Sequence, residues 1–135
     1  MPLLLPDNRV YGGQWLEDVP DGVGTLVTAD GEIYEGQFVA SVASGLGRKI
    51  FTNGGMYQGS WEEGVISGYG RFEYADGAVY IGNWSNGYKH GHGEERLIDG
   101  SVYAGNYVYG SKTGYGKLRW ADGRFYEGQF FDGTL

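Results

Sequence analysis

Two histidines, His90 and His92, and two pairs of adjacent glutamates, Glu62-Glu63 and Glu94-Glu95, are the side chains best suited to metal or acid–base chemistry. The histidines stand at i and i+2 around Gly91 with no third nitrogen or sulfur ligand nearby, short of a tetrahedral metal site, and they read as loop residues. Neighbouring glutamates on a strand point to opposite faces, and nothing in the sequence supplies the buried pocket that tunes a carboxyl for proton transfer. Both pairs therefore read as solvated surface. Gly-x-Gly recurs without ever completing G-x-G-x-x-G, since Arg71-Phe72-Glu73 follows one copy and Lys117-Leu118-Arg119 another, and no Walker A sequence is present. A Ser/His/Asp arrangement would need an elbow motif that the chain lacks. Asn83-Trp84-Ser85 matches the glycosylation pattern on what reads as a strand. The expectation is a protein that is not an enzyme, with no catalytic, cofactor-binding or metal residue.

The elements that hold these residues follow a repeat. Tyr11, Tyr34, Tyr57, Tyr80, Tyr103 and Tyr126 are each 23 residues apart. Two residues after each stands a glycine (Gly13 to Gly128), and four after each an aromatic: Trp15, Phe38, Trp61, Trp84, Tyr107 and Phe130. A Gly-x-Gly and then an Asp-Gly or Asn-Gly complete each unit, so that 25 of the 27 glycines occupy five slots. Glycines at fixed spacing serve architecture and need no ligand to explain them.

Asp-Gly between apolar runs signals a hairpin with a two-residue type I′ turn, joining the second strand of one unit to the first of the next. Period-two alternation places Tyr80, Gly82 and Trp84 on one face, with the glycine leaving a gap that is expected to accept an aromatic from a neighbouring strand. The returning strand adds Leu26, Phe51, Phe72, Tyr74, Leu97, Leu118 and Trp120 to that face, with Lys49 and Glu95 as exceptions. The opposite face reads as largely polar, as at Glu35/Gln37, Arg71/Glu73 and Lys117/Arg119. The fold expected is all-β: an elongated single-layer antiparallel array of hairpins, about 12 strands spaced roughly 4.8 Å apart, twisted so that the rings stack in a trough.

The chain of 135 residues carries no cysteine and a formal charge of -7, which argues against nucleic acid as a partner. Charge is unevenly spread. Residues 1–35 hold seven acids against Arg9 alone, whereas Lys112, Lys117, Arg119 and Arg124 surround the single acid Asp122. No apolar run reaches the length of a membrane span, and Leu3-Leu4-Leu5, closed by Pro6 and Asp7, lacks the basic start of a secretory signal. The compartment expected is the cytoplasm.

Tyr-x-Gly-x-Trp/Phe, then Gly-x-x-x-Gly-x-Gly, then Asp-Gly resembles the MORN (membrane occupation and recognition nexus) repeat over essentially the whole chain, with "YKHGHGE" among the closest stretches. The units are 11–33, 34–56, 57–79, 80–102 and 103–125, with partial units at 3–10 and 126–135. Departures fall where Asp18 and Ser41 replace a glycine and where "VASVAS" (39–44) lacks a polar loop, so those turns are expected to be shaped differently. Pro6-Asp7-Asn8 takes the turn slot of the first partial unit. Both ends cut through a unit, which suggests a piece of a longer protein or homodimer pairing through the exposed end strands.

The resemblance implies a scaffold that binds a protein or peptide along an aromatic-lined concave face in a cytoskeletal assembly. The groove aromatics are Tyr57, Trp61, Tyr74, Tyr80, Trp84, Tyr103, Tyr107 and Trp120. It also raises association with membrane phospholipids, through Lys112, Lys117, Arg119 and Arg124 as an anionic-lipid patch, and a role as accessory targeting module of a lipid kinase or lysine methyltransferase.

Overall fold

A computed structural model describes residues 3–5 and 7–133. These form twelve strands: β1 (Leu3–Leu4), β2 (Val10–Leu16), β3 (Val19–Val27), β4 (Ile33–Val39), β5 (Val42–Ile50), β6 (Met56–Glu62), β7 (Val65–Glu73), β8 (Val79–Ser85), β9 (Tyr88–Arg96), β10 (Val102–Val108), β11 (Ser111–Arg119) and β12 (Phe125–Phe130). They pair in chain order as one antiparallel sheet, a meander with no crossover. The all-β hairpin array read from the 23-residue period is the fold observed.

One line of glycines organises the sheet. Gly13 pairs with Gly24, Gly24 with Gly36, Gly36 with Gly47 and Gly47 with Gly59, and the line continues through Gly70, Gly82, Gly93, Gly105 and Gly116 to Gly128. It therefore crosses every strand from β2 to β12. The gap above it is filled by the unit's own tyrosine and not, as the alternation suggested, by an incoming ring: a Cβ on Gly93 would collide with the Tyr80 ring, and one on Gly116 would lie 2.6 Å from the Tyr103 hydroxyl. A side chain of any size on the line would push the tyrosines off the sheet.

The Asp-Gly hairpins do not form the type I′ turn expected of them. At the Asp-Gly sites the loop has three residues: Thr28 N–H bonds the Glu32 carbonyl and Gly31 N–H the Thr28 carbonyl, with only Gly31, at φ +95°, left-handed. This is a type I turn closed by a bulge glycine. The preceding Asp or Asn serves by accepting a backbone N–H two residues on, as Asp76 does from Ala78 at 3.0 Å and Asp99 from Ser101 at 2.8 Å. Asn8 (φ 68°) occupies the corresponding slot near the N-terminus, where Pro6 lies outside the described residues.

The type I′ turns sit instead within each unit. Both central residues are left-handed at Glu17-Asp18 (φ 51° and 69°), Ala40-Ser41 (48° and 77°) and Glu63-Gly64 (50° and 82°). Asp18 and Ser41 thus adopt the same turn as the glycines they replace. A hydrogen bond from each turn to the preceding hairpin stacks the units: Ser41 N–H to the Pro20 carbonyl (2.8 Å), Gly64 to Ala43 (2.7 Å), Gly87 to Ile66 (2.8 Å) and Gly110 to Lys89 (2.7 Å). Returning strands have nine residues against seven in leading strands such as β2 and β4, and the register breaks between Gly13 and Trp15 and at the equivalent points.

Gly93→Ala is expected to destabilise the protein by about 3 kcal/mol through overpacking against Tyr80. Gly87→Asn, at a left-handed turn position that asparagine tolerates, should change stability by less than about 1 kcal/mol. Urea unfolding of both variants checks the contrast.

Candidate functional site

The face that carries the tyrosines is closed by a continuous column of rings. Each tyrosine meets the second aromatic of its own unit and that of the next edge-on: Tyr11 packs on Trp15 (4.8 Å) and Phe38 (5.1 Å), and Tyr34 on Phe38 (5.0 Å) and Trp61 (5.2 Å). The zigzag runs on through Tyr57, Trp84, Tyr80, Tyr107, Tyr103 and Phe130 to Tyr126, with interplanar angles of 81–88° over that stretch. Edge-to-face pairs of this kind contribute about 0.5–1.5 kcal/mol each beyond area burial.

The leading tyrosine of every unit also donates its hydroxyl to the carbonyl three residues on, from Tyr11 to Gln14 (2.6 Å) through to Tyr126 to Gln129 (2.8 Å). The phenols are thus buried without being left unsatisfied. Burial pushes Tyr34 and Tyr57 up to about 12 and raises Tyr80 further.

Of the eight groove aromatics read from the sequence, six belong to this column. Tyr57, Tyr80 and Tyr103 are fully buried, and Trp61, Trp84 and Tyr107 are no more than 9% exposed. Trp61 and Trp84 turn their indole N–H groups onto the carbonyls of Gly47 (3.1 Å) and Gly70 (3.4 Å). Tyr74 and Trp120 are the two that keep exposed surface. With half-buried Phe51 and Phe72 they edge the column on the Asp-Gly turn side, Phe72 lying 5.6 Å from Phe51 and 4.8 Å from Tyr74.

The same face contains a buried ion pair that corrects the reading of Glu94-Glu95 as solvated surface. Glu95, 9% exposed, accepts from Lys89 Nζ (3.1 Å) and from the Tyr107 hydroxyl (2.9 Å). Lys89 lies over the rings of Tyr74 (5.0 Å), Tyr80 (5.2 Å) and Tyr107 (5.8 Å), which stabilise its charge by cation–π attraction. Burial works against both charges, yet for Glu95 the charges of Lys89 and Lys112 win and hold the carboxyl below its usual range; for Lys89, Tyr74 and Glu95 raise the ammonium. The sequence signal for Lys89 was a charged residue in a slot that holds Ala43 and Ile66 in the preceding units. Lys49, the other polar exception, pairs with Glu32 at 3.1 Å.

The four basic residues do not form one patch. Lys112 lies on the ring face, 5.4 Å above Tyr103, whereas Lys117 and Arg119 are exposed on the opposite face, and Arg124 binds Asp122 at 2.7 Å in a turn. His90 and His92 are on strand β9 and not in a loop; His90 Nδ1 accepts the Tyr109 N–H at 3.1 Å. The outer face is less polar than its quoted pairs suggest, because Val23, Leu46, Tyr69 and Tyr115, the middle residues of four Gly-x-Gly stretches, are all more than half exposed. Among the described residues no group of three or more His, Cys, Asp or Glu is placed to hold a metal, and no helix is long and apolar enough to cross a membrane.

The family model for the MORN repeat matches residues 11–33, 34–56, 57–79, 80–102 and 103–123 consecutively. The chain belongs to the MORN-repeat family. No curated protein matches it. Among solved structures, this MORN array is similar to the TCP domain of Drosophila melanogaster SAS-4 (dCPAP), solved with a proline-rich motif of Ana2 (dSTIL), at 13% identity, 96% coverage of this chain, 83% of that one and a TM-score of 0.43. It is also similar to the TCP10 domain of Danio rerio CPAP, solved with a STIL peptide, at 15% identity, 96% and 78% coverage and a TM-score of 0.34. Likeness at this level says nothing of function.

Tyr34 and Tyr57 give this MORN array a stability that depends on pH. Their raised folded pKa favours the neutral phenol, so stability is complete below pH 10 and is lost as pH rises from 10 toward 12, when the unfolded chain ionises first. Tyrosinate absorbance and circular dichroism should change together over that window. Lys89→Ala should cost about 3 kcal/mol by stranding Glu95, and the double change Lys89→Met/Glu95→Leu should recover most of it. Urea unfolding of the full mutant cycle measures both.

Proposed function

We propose that this MORN array is a non-catalytic interaction scaffold whose polypeptide partner lies along the ring face of the central units. The supporting observation is the row of half-buried aromatics, Phe51, Phe72, Tyr74 and Trp120, standing beside a column of rings that is already closed. Aromatic side chains with one free face are the usual anchors of a polypeptide interface. The six buried groove aromatics then hold the surface in shape, and Tyr74 and Trp120 touch the partner. The array positions a ligand, and any chemistry performed on that ligand belongs to another domain or protein.

The test is cross-linked affinity capture from a native lysate by wild type and by Tyr74→Ala/Trp120→Ala, with circular dichroism confirming that both are folded. A polypeptide retained by wild type and reduced about tenfold by the variant is the expected result. Equal retention removes the central placement, and retention of lipid alone removes the scaffold reading.

A further inference from the structure

The repeat provides its own internal control, because two backbone positions are filled differently in successive units. The ring-face position after each type I′ turn is Ile66, Lys89 and Lys112 in the later units but Pro20 and Ala43 in the first two. The position following each returning strand is Phe51, Tyr74, Leu97 and Trp120, but Thr28 after β3. Smaller side chains on an unchanged backbone leave space. Two adjoining depressions open there, of about 320 Å³ and 220 Å³, sharing Arg9, Leu26, Phe38 and Ser41. Leu26 and Phe38 are buried members of the core and give the cleft an apolar floor.

Its rim is acidic. Asp7 and Asp18 line the larger depression. The two cations of the cleft are already neutralised: Arg9 Nε lies 2.5 Å from Asp7, and Lys49 lies 3.1 Å from Glu32. Among the described residues Asp18 has no ion-pair partner, and residues 1–35 hold seven acids against one base. An acidic or purely apolar ligand would leave the Asp18 carboxylate repelled or desolvated, whereas a cationic neighbour of an apolar side chain would pair with it.

We infer that this cleft docks a basic polypeptide segment, seating one large apolar side chain over Leu26 and Phe38 with a flanking Lys or Arg against Asp18. The inference rests on the scaffold reading and adds to it a second contact, outside the central units, with a defined partner chemistry.

Fluorescence anisotropy with three labelled peptides tests it, each carrying the same central leucine and phenylalanine flanked by lysines, glutamates or serines. The lysine-flanked peptide should bind about tenfold or more tighter than the glutamate-flanked one, and its affinity should fall as salt is raised. Ala43→Ile/Thr28→Tyr fills the cleft with the residues that later units carry at the same positions, and should weaken binding about tenfold with the circular dichroism spectrum unchanged. Asp18→Asn, which keeps a side chain tolerant of the left-handed turn, should weaken the lysine-flanked peptide alone. Equal affinity for all three peptides, or no binding of any, overturns the inference. Binding that survives the filled cleft but is lost in Tyr74→Ala/Trp120→Ala overturns it while leaving the central site standing. Loss in the filled variant alone supports the cleft.

Discussion

A tyrosine ring lying flat over a pair of cross-strand glycines is the contact on which the molecule depends. It requires the glycine line, because a single Cβ on Gly24 or Gly93 would occupy the volume of the ring. It fixes the second aromatic of each unit, which has no other place to lean than the edges of two tyrosines. It also sets the hydroxyl where it can bond the carbonyl of the residue before that aromatic. A single layer ordinarily leaves its apolar face wet; here the rings cover one another, which is how Tyr57 and Tyr80 become fully buried with no second sheet or helix above them.

Because each ring touches only its own unit and the next, stability is divided into nearest-neighbour steps. The steps are not equal. At β9 and β10 an ion pair, Lys89 with Glu95, is inserted beside the column and held by three tyrosines, and a buried pair of this kind fixes geometry more than it adds stability. Toward the N-terminus Pro20, Thr28 and Ala43 withdraw bulk from the same rows and the surface becomes hollow. One backbone therefore presents a ringed strip at its centre and an apolar-floored cleft near one end.

The period of 23 was enough to read the strands, their order and the aromatic face, because strand alternation and turn residues are local properties. What it left unread depends on contacts across strands. The Asp-Gly turn was misread because Asp-Gly is compatible with two hairpin geometries, and only the pairing shows which one forms. The burial of Glu95 needed Lys89, six residues earlier on its own strand, and Tyr107 of the next strand to be brought beside it. Alternation placed the groove aromatics on one face, yet it could not distinguish rings that close on each other, such as Trp61 and Trp84, from Tyr74 and Trp120 at the border.

The glycine line has a consequence for how such a molecule can lengthen. A duplicated stretch of 23 residues inserts two strands that continue the line, leans on its neighbours as any other unit does, and alters no contact elsewhere. What it changes is distance: two strands move everything on one side of the insertion by about 10 Å relative to the other. Copy number then acts as a measuring scale, setting the span between a surface near one end and a surface near the middle in discrete increments, so tandem duplication could tune reach without redesigning either surface.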